Sequence, residues 1–247
     1  MFEGQSKNRL GLLIWMSHPA WPSLLWQTYD YFFDTDAGYY GAKKGAEPLH
    51  IQWNASTDAV EIVNYSAADQ AGLTAHAQII NMDGSVKWEK TATLDSREDS
   101  TQSPLQLEYP AGLSRTHFIR LTLTRGDQLV SSNFYLRGLV EGDFQGIRDL
   151  PAAKVKAKIH IKRSGSQWLI TAELQNVSKT PALMVRAKAV RSKSGDLIVP
   201  ALFSQNYVAL MPGEKHTISI SLLDADTRGE RPRIRIDGYN LAGATQQ

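Results

Sequence analysis

From Leu49 to Tyr239 the chain is written in short segments where apolar and polar residues alternate or where β-branched residues dominate. The first set is LHIQW (49–53), AVEIVNY (59–65), LTAHAQIIN (73–81), VKWEKTATL (86–94), LQLEY (105–109), THFIRLTLT (116–124) and LVSSNFYL (129–136). Turn residues separate them, among them Asp83–Gly84, the strongest hairpin signal in the chain. A period of two puts successive side chains on opposite faces. Seven such runs at roughly 8–12-residue spacing outline an antiparallel β-sandwich. A second set follows: KVKAKIHIKR (154–163), QWLITAELQN (167–176), MVRAKAVRS (184–192), IVPALF (198–203), YVAL (207–210), KHTISISL (215–222) and RIRIDGY (233–239). In the first of these, Val155, Ala157, Ile159 and Ile161 point one way, and Lys154, Lys156, Lys158, His160 and Lys162 the other. Alternation alone explains that lysine stripe as the solvated face of a half-buried strand, and charge on an edge discourages intermolecular pairing. Between the sets, GLVEGDFQGIRDLPAAK (138–154), with three glycines and a proline, reads as an interdomain linker.

The first 47 residues break the pattern. Leu12–Met16 is a continuous apolar run, as in a parallel strand buried on both faces. An aromatic loop follows, then a small-residue helical patch at 37–46. The stretch 12–53 holds four of the six tryptophans. A parallel strand needs neighbours on both sides, and none of the later segments has that character. The expectation is that the chain starts inside a domain.

Composition narrows the classes. The 247 residues are 42% hydrophobic and 21% charged, which is a core-forming composition. The net charge of +2 comes from 27 basic and 25 acidic residues, and this argues against a dedicated nucleic-acid surface. No cysteine is present, which removes disulfides, thiolate metal sites and a Cys nucleophile. No apolar run approaches the roughly 20 residues that span a bilayer, so no membrane partner is expected. MFEGQSKNRL lacks the order of a secretory leader. A soluble product is expected; a leader upstream of Met1 would make it periplasmic or secreted, and the compartment stays open.

Candidate chemistry is sparse. The six histidines (18, 50, 76, 117, 160 and 216) show no helical metal-ligand spacing. The nucleophile-elbow, Walker and dinucleotide motifs are absent from the sequence, so neither metal nor cofactor is expected. Asp36 precedes the helical patch as a cap would, and Asp30 reads as a structural hydrogen-bond acceptor. Trp26, Tyr29, Phe32 and Phe33 fall at helical spacing and read as packing residues. Trp15 differs, because a residue at the carboxyl end of a barrel strand faces the mouth where barrel active sites form. Trp21 is a weaker candidate for the rim.

These residues resemble glycoside hydrolase family 2, in its branch of exo-β-D-glucosaminidases and β-mannosidases. The resemblance rests on Trp15–Met16, Ala20–Trp21–Pro22–Ser23, Trp26–Gln27, Asp30–Tyr31 and the run Tyr39–Gln52. It continues through Pro181–Ala182, Leu210–Met211–Pro212–Gly213–Glu214, Arg231–Pro232–Arg233–Ile234 and Gly238–Tyr239–Asn240. It implies a mainly β chain: two immunoglobulin-like antiparallel β-sandwiches preceded by the last strand and helix of a truncated (β/α)8 barrel. The implied domains are the barrel end at 1–47, a sandwich at 48–140, a linker at 141–153 and a second sandwich at 154–247, with Phe2–Asn8 as the helix before the last strand. Enzymes of this family are retaining and use two glutamates from earlier barrel strands, in Asn-Glu and Ser-Glu contexts. Neither dipeptide occurs here, so the resemblance carries over no catalytic residue. It implies Trp15 as a wall of the terminal-sugar subsite and Trp21 at its rim. The implied partners are a β-linked oligosaccharide bound through the complete enzyme, and the rest of the barrel. Two other readings compete: a free-standing carbohydrate-binding module using strand aromatics such as Trp88 or Trp168, and an interaction protein whose orphaned barrel edge associates.

Overall fold

The computed structural model describes residues 13–23, 27–243 and 245–246. The chain forms two compact units, one of residues 42–149 and one of residues 14–41 with 150–247.

The first unit holds β1 (Leu49–Asn54), β2 (Ala59–Asn64), β3 (Gln70–Asn81), β4 (Val86–Ser96), β5 (Ser100–Gln106), β6 (Thr116–Arg125) and β7 (Gln128–Gly138). They form one sheet in the order β1-β2-β5 and another in the order β4-β3-β6-β7, all pairs antiparallel. The chain changes sheet at β2–β3, β4–β5 and β5–β6, which gives an immunoglobulin-like sandwich. Its core takes the inward residues of each strand, including Ile51, Ile62, Leu73, Ile119 and Leu121 at 0% exposure. Each such side chain contributes roughly 1.5–3 kcal/mol of transfer free energy. At Asp83–Gly84 the Gly84 amide donates to Asn81 O (2.9 Å) with φ +84°, closing the β3–β4 hairpin.

The second sandwich comprises β8 (Val155–Ser164), β9 (Gln167–Asn176), β10 (Ala182–Arg191), β11 (Ala201–Phe203), β12 (Val208–Leu210), β13 (Lys215–Leu223), β14 (Pro232–Asp237) and β15 (Thr245–Gln246). The sheets run β11-β13-β9-β8 and β12-β10-β14-β15. Leu174, Val185, Ile218 and Ile236 lie between them. Tyr40, from the helix α1 (Ala37–Gly45), joins this core, and residues 14–41 belong to the same compact unit as the second sandwich.

The two sandwiches share a device that reads in the sequence only once the structure pairs it. β2 ends in Asn64–Tyr65–Ser66 and β9 in Asn176–Val177–Ser178. Each Asn is fully buried, and its Oδ1 accepts from the amide and hydroxyl of the Ser two residues on. Each amide Nδ2 spans to backbone carbonyls: Ala68, Ser96 and Arg97 for Asn64, and Thr180 and Leu210 for Asn176. The Asn side chain thus satisfies backbone groups that the strand end leaves unpaired.

Several sequence expectations need correction. Residues 13–16 form no strand; Leu12 and Phe2–Asn8 lie outside the described residues. Without flanking strands, nothing satisfies an extended backbone there. Residues 29–33 form a turn rather than a helix, and Trp26 lies outside the described residues. Phe32 and Phe33 are exposed rather than packed. β5 begins at Ser100, five residues before the expected strand, in a polar run that carries no alternation. It carries Pro104, which an edge strand tolerates because its outer amides pair with nothing. The run at 198–203 is a strand only from Ala201, because Pro200 has no N–H for the ladder. Residues 139–149 pack on the first unit: Arg115 Nε donates to Asp143 Oδ2 (2.6 Å) and Gly146 N to Thr116 Oγ1 (3.2 Å). A Cβ on Gly146 would meet Thr116 Oγ1 at 2.7 Å, so this contact requires glycine.

Candidate functional site

The segment 13–41 is built from its loop chemistry. Asp30 Oδ1 accepts from the amides of Phe32 (2.8 Å) and Asp34 (3.0 Å), which folds residues 30–34 into a tight turn. Tyr29 bridges to Thr35 across it. Asp36 Oδ1 accepts from Tyr39 N (3.0 Å) and caps α1. The Tyr29 amide and the Thr28 hydroxyl both donate to Ser17 O, which ties the 13–23 stretch back to this turn. His18 stacks on Phe33 with centroids 4.3 Å apart.

The outer face of β10 and β14 receives this segment. Tyr207 OH donates to Thr35 O (3.3 Å), and Thr35 Oγ1 and Tyr40 OH are 3.0 Å apart. Lys188 Nζ lies 3.1 Å from Asp34 Oδ2. Arg186 forks onto Asp237 and donates to Tyr207 OH (2.9 Å). Burial disfavours the Arg186 cation, but the Asp237 carboxylate and the Tyr207 hydroxyl outweigh it and hold the group charged. Burial pushes the Tyr40 and Tyr207 hydroxyls up, so both stay neutral donors at physiological pH.

On this base stand Trp15 and Trp21. Trp15 is 79% exposed and Trp21 65%, and among the described residues neither makes a ring-to-ring contact. Ile14 and Met16 beside Trp15 are exposed as well.

The other sequence candidates are structural. Trp168 Nε1 donates to Asp224 Oδ1 (2.7 Å) and its ring packs on the second core. Trp88 packs against the first core. Trp53 packs edge-on against Tyr135 and donates through Nε1 to Asp58, which also accepts from Tyr109 OH (2.7 Å). His117 is buried, and desolvation lowers its basicity, so it is held neutral. Among the described residues no three His, Asp or Glu side chains converge as a metal site would require. No helix of the described residues is long and apolar enough to cross a membrane.

The sequence did not single out Glu47, yet it organises the end of α1. Its carboxylate accepts from Ser131 Oγ (2.6 Å) and Lys44 Nζ (2.6 Å) and meets His50 Nδ1 at 3.3 Å. Burial raises its pKa, but the contacts with His50, Lys44 and Ser131 prevail and hold it at about 2.

Comparison with known proteins decides the family. Residues 133–241 match the exo-β-D-glucosaminidase Ig-fold domain. The exo-β-D-glucosaminidase of Streptomyces avermitilis is 32% identical over 265 residues, covering 97% of this chain and 29% of its own length. The crystal structure of the Amycolatopsis orientalis exo-chitosanase superposes with a TM-score of 0.87 at 30% identity, covering 94% of this chain and 30% of that one. The chain belongs with the exo-β-D-glucosaminidases of glycoside hydrolase family 2. It spans under a third of the length of these relatives. A β-D-mannosidase from Dictyoglomus thermophilum shares the fold, with a TM-score of 0.63 at 19% identity.

Proposed function

We propose that this chain is the non-catalytic part of a retaining exo-β-glycosidase that acts on β-glucosaminides or β-mannosides. Residues 1–47 close the catalytic barrel, the two sandwiches brace it, Trp15 forms an aromatic wall of the terminal-sugar subsite and Trp21 its rim. The observation that carries this reading is the exposed Trp15 on a segment whose far end is fixed to the second sandwich. That segment is held by the Tyr207–Thr35 and Lys188–Asp34 contacts. Relatives named for β-glucosaminide hydrolysis, one of them solved with a β-D-glucosamine aryl glycoside, support the substrate class. Retaining hydrolysis needs two carboxyl groups about 5–5.5 Å apart flanking the scissile bond. In this reading both come from barrel strands outside the chain, and this chain's residues only bind and orient.

Incubation of the purified chain with aryl β-glucosaminide and β-mannoside should give no turnover, and saturable hydrolysis would overturn the proposal. In a polypeptide that also carries the preceding barrel strands, Trp15→Ala should raise KM by about tenfold through loss of ring stacking. An unchanged KM would remove Trp15 from the subsite. Oligosaccharide affinity retained by residues 48–247 would favour the binding-module reading instead.

A further inference from the structure

The near-neutral charge of the whole chain conceals two opposite halves. Residues 150–247 carry 15 Lys and Arg against 7 Asp and Glu, while residues 1–149 carry 12 against 18. The second sandwich is therefore strongly basic, and its two outer faces use that charge differently. The β10–β14 face, with Arg186, Lys188, Arg233 and Arg235, receives the segment bearing Asp30, Asp34 and Asp36, and Lys188 pairs with Asp34. Among the described residues of the unit, nothing covers the face of β8, β9 and β13 in this way. Lys154, Lys156, Lys158, His160 and Lys162 all stand exposed along the edge strand β8. Register places Lys156 across from Gln175, which pairs in turn with Lys215, so a further exposed lysine joins the row. Glu173, opposite Lys158, is the one acid on this face of the three strands.

We propose that this face binds a linear anionic polysaccharide lying along β8. Side chains two apart on a strand repeat about every 6.7 Å, so the stripe offers a regular ladder of point charges to a polymer with regularly spaced carboxylates or sulfates. The neighbouring outward residues Thr171, Thr217 and Ser219 supply hydroxyls suited to a hydroxyl-rich chain. Features expected of a nucleic-acid face are missing from the row: it has no arginine fork for phosphate and no exposed aromatic ring for base stacking. Trp168 points away from it into the core. The same charge repels a cationic glucosamine polymer.

The test is titration of the whole chain with a size-defined heparin oligosaccharide at about 50 mM salt, where surface charges are only partly screened. A Lys156→Gln, Lys158→Gln, Lys162→Gln triple variant should bind at least about tenfold more weakly, since each tenfold is about 1.4 kcal/mol. The charge-matched triple Lys87→Gln, Lys90→Gln, Lys193→Gln should lose less than about twofold. Single Lys158→Gln, with a urea midpoint equal to the parent, should show a smaller loss in the same direction. Absence of binding by the parent, or equal loss in the control triple, overturns the proposal. Tighter binding of oligo(dT) through the same lysines overturns it in favour of a nucleic-acid face. A chitosan oligomer should not compete, and competition would likewise refute the charge argument. Hydrolysis by the complete enzyme is not read in any arm, so the outcome is independent of the glycosidase reading.

Discussion

Glu47→Gln isolates one carboxylate that joins Lys44, His50 and Ser131 within the first unit. Glu47 Oε2 accepts the Ser131 hydroxyl, whose oxygen in turn accepts the Ile51 amide at 3.3 Å. Asn133 Nδ2 donates to Ile51 O at 3.0 Å and contacts His50, so Lys44, β1 and β7 meet in one network. Burial pushes the Glu47 carboxyl up, but the bonds from His50, Lys44 and Ser131 hold it at about 2, well below the ordinary glutamate range. A depression of that size corresponds to roughly 3 kcal/mol at most, since a tenfold change in proton affinity is about 1.4 kcal/mol. The carboxylate is 29% exposed, and allowing for solvent screening leaves about 2 kcal/mol. The folded pKa is depressed, so this stability is fully present above the unfolded pKa and is lost as pH falls through 4.5 towards 2. The assay is hydrogen exchange at the Ile51 amide in parent and variant at several pH values. Neutral pH should show protection lower in the variant by about 2 kcal/mol, and near pH 3 the gap should fall below about half. A gap that stays constant across this range, or no gap at neutral pH, would refute the assignment of the network's strength to the Glu47 charge.

Three further outcomes follow from the packing. Asn176→Ala should destabilise the second sandwich by about 3 kcal/mol, because two carbonyls and the Ser178 amide lose buried partners; Asn64→Ala should do the same in the first, both read by urea midpoint. Gly146→Ala drives a Cβ to within 2.7 Å of Thr116 Oγ1, and a loss of about 1–3 kcal/mol should appear in thermal unfolding of the first unit. Arg186→Gln strips Asp237 and Tyr207 of their cation, so limited proteolysis should cut between residues 28 and 41 faster while the rest of the second sandwich stays resistant.

Alternation was enough to locate strands whose partners are near in sequence or whose faces are cleanly divided. β9 coincides with the run 167–176, β6 and β2 differ from their runs by one residue at one end, and β8 is shifted by one residue at each end. Periodicity is a local consequence of having one face on the core, so it survives in a single sequence. β5 was misjudged because its polar STQS start is stabilised by pairing with β2, some forty residues away, rather than by its own burial. Asp30 and Asp36 were legible as turn and cap residues because those bonds reach only a few positions along the chain. Glu47 was not, because Ser131, which gives it its role, is 84 residues distant.

The sequence by itself determined the strand period, the two sandwich sets, the absence of a catalytic glutamate pair in its expected contexts, and the aromatic content of residues 12–53. Tertiary structure decided what those aromatics do. Tyr40 enters the second core, Tyr39 packs on Tyr29, and Trp15 stands exposed, while Asp34 pairs with Lys188 and the Thr35 carbonyl accepts from Tyr207. Periodicity carries the sign of each face, but only the fold says which charged face meets an opposite one and which is left open to a partner.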